Sequence, residues 1–296
     1  MAKSWTVQTA YTLDDYPLTL GEEFWVTQKM NGVRATLYNG ALIGRSGTEY
    51  TGLDHILNSL TDIVQQLDIV LDGELVLKDA YQYKDDNEAF RIASGIVRSD
   101  LPAAKTEIEF VIFDLVPRED FESSEPQITY RQRREAMEQF SIFLNTENSR
   151  VLPVIFHGTD PSVIPELLKR VTEIGREGLM INLNVPYYRK RHKGILKVKQ
   201  FYTMDLPILR CEEGSGRLKG TLGALVVDYH GNEVHVGTGF TDEERARLWE
   251  KRTALPGQIC EVKYKDISFN QAKNAYSLQF PSYVGLRTDK TEPSFW

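Results

Sequence analysis

Positive charge is in short supply in this chain. Its 296 residues carry 35 Lys and Arg against 42 Asp and Glu, a formal net charge of −7. That excludes a protein that coats nucleic acid through an overall basic surface, although a local basic strip can still hold a phosphate backbone. Cysteine is almost absent. Cys211 and Cys260 are the two, far apart and without metal-ligand spacing. A disulfide framework and a thiolate metal site are thereby excluded, and both residues read as reduced core thiols in a reducing compartment. No apolar run approaches the roughly 20 residues that a membrane-spanning helix needs. The first residues, Met-Ala-Lys-Ser-Trp, hold no signal-peptide core. The expected setting is the cytoplasm, with no membrane association. Internal repeats and low-complexity stretches are missing too.

What remains is an ordinary globular composition, 41% hydrophobic and 26% charged, with enough length for two domains. Residues 1–20 show little periodicity and read as a lead-in segment. Phe24-Trp25-Val26 and Val33 to Tyr38 are β-rich, and Asn39-Gly40 is a hairpin turn signal. Residues 52–67 place Leu53, Ile56, Leu57, Leu60, Ile63, Val64 and Leu67 at helical spacing. Ile69 to Leu77 reads as two short strands around Asp72-Gly73. The charge-rich segment 81–99 is expected to be helical, 108–115 a buried strand, 131–144 a helix and 151–156 a strand. A helix from Asp160 carries the stripe Val163, Leu167, Leu168, Val171 and Ile174. Glu177 and Gly178 then open a strand. The densest basic stretch follows, with Arg189, Lys190, Arg191, His192, Lys193, Lys197 and Lys199. Beyond Phe201 the texture changes to short β-like runs at 206–211, 222–229, 233–237, 258–265 and 278–287. One helix interrupts them, announced by the capping box Thr241 to Glu244. Five strands and one helix in about ninety residues fit an OB-type barrel.

The stretch Thr27-Gln28-Lys29-Met30-Asn31-Gly32-Val33-Arg34 puts a lysine at the end of a β-rich run and a glycine three residues on. Lysine amines become nucleophilic when desolvated or set near other positive groups, and glycine lets backbone approach a bulky ligand. Such a lysine could attack a nucleotide α-phosphate. Taken alone, a surface lysine is the better reading, because Lys-x-x-Gly arises by chance about once in a chain of this length. The rest of the chain decides. Nucleotidyl transfer needs carboxylates for ribose or metal, cations for the phosphate charge and a slot for the base. Glu74 follows Asp72-Gly73, Phe113 lies in a buried run, Glu177 opens a strand, and Lys197 and Lys199 share one face of another strand.

The ordered set of Lys29 to Arg34, Arg45-Ser46-Gly47, Asp72-Gly73-Glu74, Phe110 to Leu115, Glu177 to Met180 and Leu196 to Lys199 resembles the collinear motifs of covalent nucleotidyltransferases. These are the polynucleotide ligases and RNA capping enzymes. The tail Phe280 to Lys290, with Arg287-Thr288-Asp289-Lys290, resembles the closing motif of ATP-dependent DNA ligases. Val236 to Phe240 with Trp249 is similar to the small, virus-type minimal members. The resemblance implies an α+β chain. Residues 1–203 would form an adenylation (nucleotidyltransferase, ATP-grasp-like) domain of antiparallel sheets and helices, and residues 204–296 an OB-fold domain.

It also implies roles. Lys29 would take AMP from ATP and release pyrophosphate. Thr27, Gln28, Met30 and Met180 would line the nucleotide site, and Gly32 would admit close backbone approach. Arg34 and Arg45 would contact ATP phosphates or the nick 5′-phosphate. Glu74 would bind the ribose and Phe113 would stack on adenine. Glu177, with Glu74, would hold Mg²⁺, or Mn²⁺ in its place. Lys197 and Lys199 would neutralise the α-phosphate. Arg287, Asp289 and Lys290 would orient the pyrophosphate leaving group. The implied partner is nicked duplex DNA, sealed by a monomer. The chain departs from the family's usual motifs at Asn31, where an aspartate is usual, and at Gln279, where an arginine often stands. The segment 211–223 has no room for the DNA-wrapping hairpin of some minimal ligases. Asn31 motivates the first alternative, an RNA ligase. A guanylyltransferase and a catalytically inactive end-binding homologue are the others.

Overall fold

The computed structural model describes residues 5–82, 86–99, 105–270 and 275–295. The chain divides into two compact units, Met1–Lys199 and Gln200–Trp296. The division falls four residues before the expected 203/204, because Tyr202 and Thr203 already pair with Tyr264 and Lys263 of the second unit.

In chain order the strands of the first unit are β1 (Thr9–Thr12), β2 (Phe24–Gln28), β3 (Val33–Tyr38), β4 (Ala41–Gly44), β5 (Glu49–Tyr50), β6 (Ile69–Leu77), β7 (Ile108–Pro117), β8 (Ser149–Val151), β9 (Val154–Gly158), β10 (Gly178–Leu183) and β11 (Arg191–Lys199). They form one sheet of order β1-β11-β10-β2-β9 and a second of order β5-β4-β3-β6-β7-β8. β2 and β3 are not two arms of one hairpin. They lie in different sheets, so residues 29–32 carry the chain from one sheet to the other.

Each sheet has an apolar face and a mixed face, as the period of two requires. In the second sheet Val33, Ala35, Leu37, Leu71, Leu75, Phe110 and Ile112 pack in one core with Ile56, Leu60 and Val64 of the helix Asp54–Gln66 and Ala89, Ala93 and Val97 of the helix Asp86–Arg98. In the first sheet Phe24, Val26, Leu179, Ile181 and Leu196 pack against Ile164 and Val171 of the helix Ile164–Glu173. The opposite face of the second sheet is mixed, with Arg34, Asp72 and Glu74 beside Val70, Val76, Val111 and Val116.

Several expectations change. The lead-in is not featureless: β1 pairs in parallel with β11. Ile69–Leu77 is one strand, with a bulge between Asp72 and Gly73 opposite β7. Gly73 serves close packing rather than a turn, since a Cβ there would meet the Phe110 ring and the Val111 carbonyl oxygen, each at 2.5 Å. Residues 151–156 are not one strand. β8 and β9 join different sheets, and Pro153, which lacks a donor, stands between them. The 131–144 helix breaks at Phe140 into Tyr130–Gln139 and Ser141–Leu144. Ile174 is exposed and drops out of its stripe. Of the 81–99 segment, residues 83–85 lie outside the described residues, and Asp86–Arg98 is helical. Asn39-Gly40 forms the expected turn, both residues at positive φ.

The second unit is a curled sheet of order β14-β13-β12-β15-β18, made of β12 (Tyr202–Glu213), β13 (Leu222–Tyr229), β14 (Asn232–Val236), β15 (Ile259–Tyr264) and β18 (Ser282–Leu286). A bridge between Thr238 and Ser282 draws its two edges together. The capping box forms as expected at Thr241 and Glu244, starting the helix Asp242–Glu250. The run 278–287 is not one strand. Phe280, at φ 52, and Pro281 separate β18 from a two-stranded hairpin of β16 (Asp266–Asn270) and β17 (Ala275–Gln279).

In the first unit β7 is fixed by a buried ion pair. Arg133 donates two bonds to Asp114, at 2.8 and 3.0 Å, and two more to the carbonyls of Ile128 and Val185. Removing one partner of such a pair strands a buried charge. Arg133→Met should therefore lower unfolding free energy by about 3–5 kcal/mol, measured in urea against wild type. A loss within the roughly 0.5 kcal/mol typical of surface changes would contradict this.

Candidate active site

A cavity of about 520 Å³ opens in the first unit, lined from both sheets. Two rungs of paired residues build it. In the first sheet Thr27, Met180 and Lys197 stand abreast on β2, β10 and β11. In the second, Arg34 stands opposite Glu74 on β3 and β6. Lys29 lies on the crossing segment between the rungs. Its backbone N–H donates to the Gly178 carbonyl at 2.8 Å, so the lysine loop is tied to the start of β10. Gly178 is required there, since a Cβ would meet the Val198 carbonyl oxygen at 2.2 Å.

The charges are arranged around two carboxylates. Glu177 is nearly buried, and its two oxygens each take a lysine: Lys29 Nζ on Oε2 and Lys199 Nζ on Oε1. Burial alone would push this carboxyl up, but Lys29, together with Lys199, holds it at about 2. Glu74 is half-buried in the cavity wall. Burial pushes it up to about 7, only partly opposed by Arg34 and Lys29. Three cations line the cavity without an ion pair among the described residues: Lys197, Arg191 and Arg45, the last two exposed.

Arg34 is held from behind. Its Nε donates to Asp72 at 2.6 Å, Nη2 to the second Asp72 oxygen, and its carbon lies 4.6 Å from the Phe113 ring centre. Asp72 is fully buried and also accepts from the Tyr187 hydroxyl, which takes a bond from the Gln8 N–H. The face of Phe113 thus meets Arg34, with Met30, Val76, Val111 and Leu152 packed around it.

Among the residues expected to act on the nucleotide, the cavity brings together Thr27, Gln28, Lys29, Met30, Arg34, Arg45, Glu74, Phe113, Met180, Lys197 and Lys199. Gly32 and Glu177 are not in its lining. Glu177 stands behind the lysines. Gly32 is pressed on β6, where a Cβ would meet the Leu75 carbonyl oxygen at 2.4 Å, so its tight neighbour is protein rather than ligand. Arg287, Asp289 and Lys290 belong to the second unit. There Arg287 bonds Asp205 at 2.9 and 3.1 Å and Asp289 at 2.8 and 3.0 Å, and Lys290 also reaches Asp205.

Residues 7–199 match the family model described as ATP dependent DNA ligase domain, and residues 213–287 match the one described as DNA ligase OB-like domain. The chain belongs to the ATP-dependent DNA ligase family. A DNA ligase of Methanoculleus marisnigri is 28% identical over 271 residues, which cover 81% of this chain and 47% of that protein. The chain thus spans about half the length of this archaeal ligase. A solved structure titled Pmar-Lig_PreS3 shares the fold with a TM-score of 0.73 at 24% identity, over 95% of this chain and 67% of that one. A solved Lig E DNA ligase shares it with a TM-score of 0.65 at 22% identity, over 96% of this chain and 99% of that one. The second unit is accordingly the family's OB-like domain.

Sequence reasoning missed several residues of this ligase-family site. Asp72 was read as part of a turn, yet it anchors Arg34. Tyr187 gave no signal, and its partner Asp72 is 115 positions away. In the second unit, apart from this site, Asp205, which pairs with Arg287 and Lys290, stood in an expected boundary. The one clue was an acid between Met204 and Leu206, both buried.

The raised carboxyl of Glu74 has a measurable consequence. The folded protein holds this proton more tightly than the unfolded chain. Its contribution to stability is full below the ordinary value of 4.5 and is lost as pH rises through about 7. Glu74→Gln should be equal to or less stable than wild type in acid and gain on it across that window, read from urea midpoints at a series of pH values. Parallel pH curves for the two proteins would contradict the assignment.

Proposed function

We propose that this protein is an ATP-dependent ligase that seals 3′-hydroxyl/5′-phosphate nicks in duplex DNA through a lysyl-AMP intermediate. The observation that carries the reading is the placement of Lys29 and Lys199 on the two oxygens of Glu177, at a cavity large enough for a nucleotide and lined by Lys197, Arg34 and Arg45. Anionic phosphate entering this cavity meets a cluster of cations. Its oxygens replace those of Glu177 on Lys199 and add Lys197, and the Lys29 amine is released toward phosphorus. The Nζ–P bond forms, the bond from the α-phosphorus to the pyrophosphate oxygen breaks, and the amine proton passes to solvent or Glu177. In this reading Glu74 accepts from ribose hydroxyls and Met180 and Phe113 bracket the base; what supports it is that all three line the cavity.

Among the described residues, no three metal-ligating side chains cluster. Mg²⁺ commonly uses one or two carboxylates together with substrate phosphates. Glu74 lines the cavity and suits that donor set, with the nucleotide supplying the rest; Glu177, with a lysine on each oxygen, would join it only by exchanging one of them. A bound Mg²⁺ would supply charge neutralisation at the phosphates. Arg287, Asp289 and Lys290 are proposed to serve the pyrophosphate leaving group. Arg287 and Lys290 now pair with Asp205, and Asp289 accepts from Arg287, so that role requires exchange of Asp205 for phosphate.

The test is sealing of nicks in DNA duplex, DNA–RNA hybrid and RNA duplex, with ATP and GTP in parallel. The expected result is sealing of nicked DNA with ATP and not with GTP. Preference for RNA would favour the RNA-ligase reading that Asn31 motivates, and binding without sealing would favour an inactive end-binding homologue. DNA affinity should be modest and fall steeply with salt. Lys190 and Lys193 are exposed, whereas Arg189 is packed on Phe121 and Arg191 on Tyr11. Replacing both lysines with alanine should reduce the log–log salt slope by roughly 1 per lysine if each neutralises a phosphate. An unchanged slope would remove them from the DNA contact.

A further inference from the structure

The placement of Glu177 depends on a residue that no motif reading singles out. We infer that Asp86 is a positioning residue that sets the bridge between Lys29 and Lys199 through Glu177. The inference rests on the adenylation reading above.

Asp86 opens the helix Asp86–Arg98 and heads its buried stripe, followed by Ala89, Ala93 and Val97. An acid at the head of an apolar stripe is costly unless its oxygens are satisfied. Both are. One accepts the backbone N–H of Glu177 at 2.9 Å and the other accepts from Arg176 Nη1 at 2.8 Å. The Asp86 N–H donates in turn to the Gly175 carbonyl at 3.2 Å. Three successive residues, Gly175, Arg176 and Glu177, are therefore held by this one. Immediately after them Gly178 accepts the Lys29 N–H. The same helical turn also reaches the lysine loop, since Asn87 Oδ1 accepts from Asn31 Nδ2 at 3.3 Å. The first turn of this helix thus brackets both the lysine loop and the acid that pairs with it.

The bond to the Glu177 N–H fixes the backbone from which the bridging carboxylate projects. Arg176 pairs with the other Asp86 oxygen and does not touch the bond to the Glu177 N–H. Loss of the acceptor lets residues 175–177 move, so that Glu177 no longer spans both ammonium groups. Asp86 is not itself among the nucleotide-lining residues. The chemical step should suffer while ATP binding does not.

The experiment is single-turnover formation of lysyl-AMP from α-labelled ATP, as a function of ATP concentration. Wild type, Asp86→Ala, Asp86→Asn and Arg176→Ala are compared. Adduct on wild type and none on Lys29→Ala validates the underlying reading. No adduct on wild type would be a failure of that reading, separate from a failure of this inference. Misplacement of a reacting group by about 1 Å can cost on the order of 100-fold. Asp86→Ala should accordingly lose roughly 10- to 100-fold in the rate at saturating ATP, with half-saturation within about twofold. Asp86→Asn keeps an oxygen for the Glu177 N–H and should recover most of the rate. Arg176→Ala leaves that bond in place and should stay near wild type. The inference is overturned if Asp86→Ala keeps the wild-type rate or loses only in half-saturation. It is overturned equally if Arg176→Ala is as damaged as Asp86→Ala, or if Asp86→Asn shows no recovery. If Asp86→Ala does not fold, Asp86→Leu, which also lacks the acceptor, takes its place with the same expected loss and the same overturning results.

Discussion

One carboxylate between two ammonium groups organises the first unit. Glu177 can hold Lys29 and Lys199 at once only if two distant stretches, the crossing after β2 and the end of β11, converge on the start of β10. The fold supplies that convergence with backbone bonds and a glycine that lets β10 lie against the end of β11. The two positive charges would repel one another without the acid, and a nearly buried acid would be costly without the charges. Each therefore depends on the other. In the proposed function, the same arrangement would store the Lys29 nucleophile next to a group that an incoming phosphate can displace.

The second sheet adds a different kind of support. Arg34 is presented to the cavity by Asp72, and Asp72 is satisfied in turn by Tyr187 and Arg34. Its neighbour Glu74 has no such hydrogen-bonded partner among the described residues, and burial pushes its carboxyl up to about 7. Two acids two residues apart on one strand face therefore have different surroundings, Asp72 buried on Arg34 and Tyr187 and Glu74 in the cavity wall.

Much of this was legible in the sequence. The lysine loop, Glu74, Phe113, Glu177 and the paired lysines come in an order that made the family recognisable, and strand periodicity put Lys197 and Lys199 on one face. The amphipathic helix at 54–66 and the capping box at Thr241 are local features, and local features survive translation into structure. What was hidden is long-range. That β2 and β3 part into different sheets cannot be read from two β-rich runs separated by four residues. The break of 151–156 turns on a single proline whose effect depends on which sheet each flank joins. Asp72, Asp86 and Tyr187 gain their importance from partners 38 to 115 positions away, and nothing in their immediate sequence announces it. Asn31 shows the converse. The missing charge was plain in the sequence, but its partner Asn87 lies on another element.

The most direct test of the central claim is the location of the nucleotide after incubation with ATP and Mg²⁺, read by mass analysis of peptides. The account predicts a single AMP addition on the peptide that contains Lys29, and none in Lys29→Ala. AMP on any other residue, or an adduct that persists in Lys29→Ala, would contradict it.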